Sequence, residues 1–171
     1  MNRITKLICV ATLVCTGSLL SLSARAAVTD QDKQFLIKVS QRGFNEIQFS
    51  KLAETKATNP QVKAFAHKMV AEHTQLAAQM KPFANDWGLT PPTSMDANHQ
   101  AEYDKINGLS GAEFDKEYMN VMEKDHHEAL DLFNEEAKTT TDAKFKVAVM
   151  HGQSVVAAHT HMADDLGAKL S

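Results

Sequence analysis

Cysteine is nearly absent: the chain of 171 residues has two, Cys9 and Cys15, and both lie in an N-terminal stretch that reads as a removable leader. Once that stretch is gone, neither a disulfide nor a thiolate metal ligand remains. No segment of any length alternates apolar and polar residues at period two, which excludes a β-sheet architecture. There is no basic cluster, and the formal net charge of −3 argues against nucleic acid and against an anionic membrane surface as partners. No Ser-His-Asp order, glycine-rich phosphate loop or cysteine nucleophile is present, so catalysis without a metal has no visible machinery.

The longest apolar run, Leu7 to Leu22, is interrupted by Thr12, Thr16 and Ser18 and falls short of the ~20 residues that span a bilayer. Arg3 and Lys6 precede it and Ala24-Arg25-Ala26 follows it, the arrangement of an export signal cleaved after Ala26. Val14 stands before Cys15 where a lipoprotein signal needs a small residue, which argues against lipidation. Residues 1–26 are therefore expected to be a signal peptide and 27–171 one exported domain, periplasmic or secreted, with no membrane insertion after cleavage. Cleavage removes Arg3, Lys6 and Arg25 but no acidic residue, leaving a more acidic chain.

What remains is punctuated as helices. Asp30 is placed to cap a first helix running to about Thr58, and Asn59 caps a second that opens with Pro60, where a missing N–H costs nothing. Trp87 and Gly88 mark its end. Residues Leu89 to Leu109 form a linker, extended through Thr90-Pro91-Pro92-Thr93, with a short helix from Ala97 to Ile106 that turns Tyr103 and Ile106 inward. Ser110 and Glu113 have capping-box spacing at the start of a third long helix running to about Lys138; Asp142 caps the fourth, which reaches about Leu166. The expected fold is all-α: a four-helix bundle about 40 Å long with a linker helix between helices two and three, the linker either turning back at one end or, as its length favours, crossing the bundle.

Each long helix has an apolar seam at spacings of three and four, and each seam holds one ionisable residue near its middle. The seams run Leu36, Val39, Gly43, Glu46, Ser50, Ala53, Ala57; Val62, Ala66, Met69, His73, Leu76, Met80, Phe83; Met119, Met122, His126, Ala129, Phe133; and Phe145, Ala148, Gly152, Val155, His159, Met162, Leu166. Glu46 precedes Ala57 by 11 residues and His73 follows Pro60 by 13, which puts both about 17–20 Å from the turn between them. His126 and His159 are also near mid-helix, so the four belong to one layer. A buried charge or imidazole is costly unless paired, hydrogen-bonded or metal-bound. Three imidazoles and one carboxylate suit a single divalent transition metal such as zinc, iron, copper or manganese. Without a metal the same residues make a polar layer that fixes helix register.

Gly43, Ser50, Ala129 and Gly152 flank the layer and are expected to leave room for metal, water or substrate. Glu72, Glu123 and Asp125 lie beside the seams as orienting partners for the imidazoles. His67, His99, His127, His151 and His161 are expected at the surface, and Met69, Met80, Met119, Met122 and Met162 in the core rather than on copper.

Gly43-Phe44-Asn45-Glu46-Ile47, Val62-Lys63-Ala64-Phe65-Ala66, Met69-Val70-Ala71-Glu72-His73, Leu109-Ser110-Gly111-Ala112-Glu113-Phe114-Asp115, His126 with Leu132-Phe133, and His159 together resemble the bacterial exported family labelled domain of unknown function 4142. The resemblance covers essentially the whole exported part. It implies a ferritin-like four-helix bundle and no established activity. Di-iron ferritins carry Glu-x-x-His on two helices; here only Glu123-Lys124-Asp125-His126 has that spacing, and Val156 stands where the second glutamate would. A single metal is the more economical expectation. Three functions remain open: a metal-handling or stress-protection protein, a metal-dependent oxidoreductase, and a metal-free bundle that engages a protein partner.

Overall fold

The computed structural model describes residues 28–170, so the expected signal peptide lies outside the described residues. Five helices and no strand are present among them: α1 Asp30–Lys56, α2 Pro60–Asp86, α3 Ala97–Asn107, α4 Gly111–Thr139 and α5 Ala143–Gly167. None of these helices is long and apolar enough to cross a membrane.

Most of the boundaries follow from capping. Asn59 accepts from Gln61 N and Pro60 opens α2; Asp142 accepts from the amides of Lys144 and Phe145. Gly88 has φ +69°, the left-handed conformation that closes α2, and the helix runs through Pro82 before reaching it. Two caps differ from expectation. Thr29, not Asp30, caps α1, in a box where Asp32 Oδ2 accepts from Thr29 N at 2.7 Å. Ser110 makes no side-chain cap bond at α4, whose first residue Gly111 sits at φ +59°.

α1 packs on α2 and on α4, and α5 on α2 and α4. Gln31 reaches Thr139 at 2.5 Å, Ser50 reaches Tyr118 at 2.9 Å, and Thr58 N reaches Asp115 at 3.0 Å, so α4 runs antiparallel to α1. With α2 descending from Pro60, the linker has to carry the chain from one end of the molecule to the other before α4 starts. Its contacts follow α1 in order: Ser94 on Gln41, Asp96 on Asn45, Tyr103 on Phe49, and Asn107 on Lys56. The linker is a crossover, as its length allows. At its far end the buried Asp115 carboxylate takes Thr58 Oγ1 at 2.6 Å and Asn59 N at 2.8 Å, tying the α1–α2 turn to the first turn of α4.

The apolar core is in two parts. One gathers Phe49, Val62, Phe65, Met69, Phe114, Tyr118, Met122 and Leu166; the other gathers Phe35, Leu36, Leu76, Met80, Phe133, Phe145, Val149 and Val156. The expected seam holds on α4 and, apart from the partly covered Val39, Gly43 and Phe83, on α1 and α2. On α5 burial favours Val149, Val156 and Ala163 over the expected Ala148, Val155 and Met162, which are only partly covered. Both rows are apolar, so helical period alone does not choose between adjacent positions.

At the end where α1 begins and α4 finishes, Asp32 and Glu136 are both buried. Burial and the neighbouring Asp32 push the Glu136 carboxyl up to about 7, Glu135 adding to the effect and Gln31 opposing it. An acid raised in this way binds more protons folded than unfolded between about pH 4.5 and 7, so its contribution is present below the lower value and lost as pH rises through the upper. Urea unfolding at about pH 5 and pH 8 is expected to show that Glu136→Gln removes a loss of stability the wild type suffers on going alkaline; parallel profiles for the two proteins would refute this.

Candidate metal centre

The four mid-seam residues lie between the two halves of the core. On α2, His73 sits between Met69 and Leu76; on α4, His126 between Met122 and Ala129; on α5, His159 between Val156 and Ala163; on α1, Glu46 lies between Leu36 and Phe49. Their exposures are 1% for Glu46, 5% for His73 and 0% for His126 and His159. One ligand atom from each imidazole falls within 4.8 Å of the others. Ring centroids are 5.0–5.4 Å apart in all three pairs. Glu46 joins the group through His73, with Oε2 2.9 Å from His73 Nε2.

His126 Nδ1 lies 2.8 Å from the Met122 carbonyl, which can only accept; the ring therefore donates from Nδ1 and holds a bare lone pair at Nε2. His159 Nε2 lies 2.6 Å from Glu72 Oε2, so that ring donates to the carboxylate and its Nδ1 is left buried without a partner. Burial pushes Glu72 up, but Lys68 and His159 outweigh it and keep the carboxylate charged. His73 Nε2 faces both Glu46 Oε2 and His126 Nε2, the latter at 3.3 Å. A single proton on that nitrogen can serve one of the two. Glu46 Oε1 is also buried without a partner.

The electrostatics favour neutral rings at His126 and His159 and a charged Glu46 carboxylate. Burial pushes Glu46 up, yet His73, His126 and His159 outweigh it and hold its carboxyl at about 2. Burial lowers His126, with the Glu46 charge opposing, and lowers His159 to about 4, with His73 adding and Glu72 opposing. Ligands of one divalent ion at about 2.1 Å stand roughly 3–3.5 Å apart, and the two Nε2 atoms of His73 and His126 already do. Beside Glu46 and His73 is a cavity of about 50 Å³, lined also by Gly43, Leu76, Ala129 and Phe133. That is room for a water or a molecule of similar size.

Of the residues expected to leave space, Gly43 and Ala129 line this cavity. Ser50 instead hydrogen-bonds Tyr118, and the space beside Gly152 is filled by the Phe133 ring. Of the expected orienting groups, Glu72 alone touches a layer imidazole. Glu123 lies against Gly167, where a Cβ would meet its Oε1, so the one Glu-x-x-His spacing does not turn its glutamate toward the layer. Asp125 is buried on the α1–α3 side, near Arg42 and His99, and burial with the Glu46 charge pushes it up to about 6. His67, His127, His151 and His161 are exposed as expected, but His99 is not: its side chain is 16% exposed and packs on Phe49. The signal for His99 was present, because helical spacing puts it on the face that Tyr103 and Ile106 turn inward. Met69, Met80, Met119 and Met122 are buried in the core as expected, and Met162 packs against it partly covered.

The DUF4142 family, a domain of unknown function, matches residues 18–166. The chain belongs to that family. A DUF305 fragment from Deinococcus radiodurans is similar in structure at TM-score 0.73 and 13% identity, over 82% of this chain and 97% of that one. A DUF305 protein from Streptomyces coelicolor, named as a candidate secreted protein, is similar at TM-score 0.68 and 15% identity, over 82% and 92%. At these identities the DUF305 likeness speaks for the fold alone. No functionally curated protein matches this DUF4142 chain.

A Cβ on Gly152 would lie 2.4 Å from Phe133 Cε1, and Phe133 is packed edge-on against Phe35 with centroids 5.0 Å apart. Gly152→Ala is expected to destabilise by about 1–3 kcal/mol in urea titration despite the better helix propensity of alanine; a more stable variant would mean the ring yields freely.

Proposed function

We propose that this protein is an exported, ferritin-like four-helix bundle that holds one divalent transition metal through His73, His126, His159 and Glu46, in the service of metal handling or stress protection. The observation that carries the reading is the pair of orphaned buried atoms, His159 Nδ1 and Glu46 Oε1, beside two lone pairs that compete for a single His73 proton. A cation in place of that proton satisfies these donors together, and low proton affinity at His126 and His159 keeps them free to bind it. Zinc, iron, copper and manganese are all compatible with three nitrogens and one oxygen. Export rests on the leader-like residues 1–26 and is supported by the naming of one DUF305 neighbour as a candidate secreted protein.

The cavity at Glu46 and His73 supports a second reading, a metal-dependent oxidoreductase in which an open coordination position takes oxygen or peroxide. Metal bound without turnover of either oxidant would exclude it. A metal-free polar layer, with function residing in a partner-binding surface, is the remaining alternative.

Elemental analysis of protein purified from its native compartment is expected to show that Glu46→Gln, His73→Ala, His126→Ala and His159→Ala each lose one metal equivalent, whereas His67→Ala loses none. Metal at about 100 times its dissociation constant should add about 2.7 kcal/mol, raising the wild-type melting temperature by roughly 5–10 °C. Equal metal content in wild type and all four variants would leave only the polar layer.

A further inference from the structure

A second set of ligand-type side chains lies outside this layer, at the junction of the crossover helix with the bundle. His99 and Glu102, three apart on one face of α3, meet Asp125 of α4, and one donor atom from each falls within 4.8 Å of the others. Asp125 is 1% exposed and neither of its oxygens has a hydrogen bond. Arg42 Nη1, at 3.7 Å, is too distant to supply one, and the other end of that guanidinium is held by Glu128. His99 Nδ1 lies 2.7 Å from Asp96 Oδ2, a carboxylate that also accepts from Asn45 and, through its other oxygen, caps α3. Nδ1 therefore donates, which leaves a lone pair on Nε2 in the neutral ring. That lone pair faces Asp125 Oδ2 at 3.3 Å with no hydrogen bond between them. Two bare acceptors at this distance repel unless something positive lies between them, and 3.3 Å is the separation of two ligands sharing one small divalent ion.

We propose that His99, Glu102 and Asp125 form a second cation site, suited to zinc, that fastens the crossover helix to α4. One imidazole and two carboxylates balance a divalent charge, and Asp96 orients the imidazole as ligating histidines are commonly oriented. Entry is from solvent: an open depression of about 610 Å³ lined by Arg42, Asp96, His99 and Glu128 reaches the histidine. Arg42 can give way to the cation because Glu128 already holds it. The site shares no ligand with the imidazole layer, although Asp125 and His126 are neighbours in sequence.

Zinc titration followed by elemental analysis separates the two sites. The His126→Ala variant, with the layer disrupted, is expected to retain one zinc, and adding His99→Gln to it to reduce this to none. Retention of zinc after loss of His99, or no zinc in a folded His126→Ala variant, overturns the proposal. If His126→Ala does not fold, amide exchange in the wild type decides: zinc is expected to slow exchange across residues 97–107 at least tenfold, and to lose that effect in His99→Gln and Glu102→Gln. Exchange in α3 indifferent to zinc overturns it equally. Failure of the layer to bind metal would instead appear as His73→Ala and His126→Ala leaving stoichiometry unchanged, with the His99-dependent equivalent intact.

Discussion

Three imidazoles and a carboxylate packed at one depth, with almost no solvent, set the terms for the rest of this molecule. Removing such groups from water costs several kcal/mol unless their donors and acceptors are matched, and here the matching is incomplete: His159 Nδ1 and Glu46 Oε1 have no partner. The surrounding architecture bears that cost. Two separate apolar clusters, rich in aromatic side chains at both ends, grip the four long helices on either side of the polar layer. With a firm core above and below, the polar side chains cannot relieve themselves by sliding along the helix axes toward water. Packing on both sides thus fixes the depth of the layer.

The same constraint explains why the chain invests in ties at the ends. A polar layer is only as well defined as the register of the helices that carry it, and α1 and α4 are joined in sequence by nothing shorter than α2 and the crossover. Asp115 fixes the α1–α2 turn to the start of α4 through three donors, and Gln31 fixes the opposite end of α1 to Thr139. Between them Asp96 anchors the linker to Asn45, one residue from Glu46. The bonds to the Asp115 and Asp96 carboxylates contribute about 1.5–3 kcal/mol each and the neutral Gln31 bond about 0.5–1.5 kcal/mol, and their placement converts that energy into a fixed depth for Glu46 against His126.

Legibility in the sequence followed the same physics. Helix existence, the tight turn at Pro60 and the membership of Glu46, His73, His126 and His159 in inward seams were all readable, because a three-four period survives substitution of one polar residue. The length of the linker permitted a crossover without deciding it, since the same segment could have turned back at one end. Features decided by one helix meeting another were not readable. Whether Val155 or Val156 turns inward, or whether the gap at Gly152 stays open or receives Phe133, depends on the rotation of α5 against α4, which no single-helix pattern encodes. His99 was misplaced for a related reason: an 11-residue helix with a single fully buried residue, Ile106, gives a weak period, although the spacing to Tyr103 pointed the right way.

The departure from a two-metal carboxylate centre also has a structural cause. In such centres the glutamate three residues before each histidine leans into the bundle and bridges the ions. Glu123 stands at that spacing before His126, but it leans across the surface of α5 at Gly167, a position where any side chain would collide with it. On α5 the corresponding position is Val156, which is spent on the apolar core. The layer therefore carries one carboxylate, Glu46, which burial pushes up but His73, His126 and His159 together hold low, while burial lowers the proton affinity of His126 and His159. With a single carboxylate among the four, the layer lacks the bridging glutamates on which a two-metal centre depends.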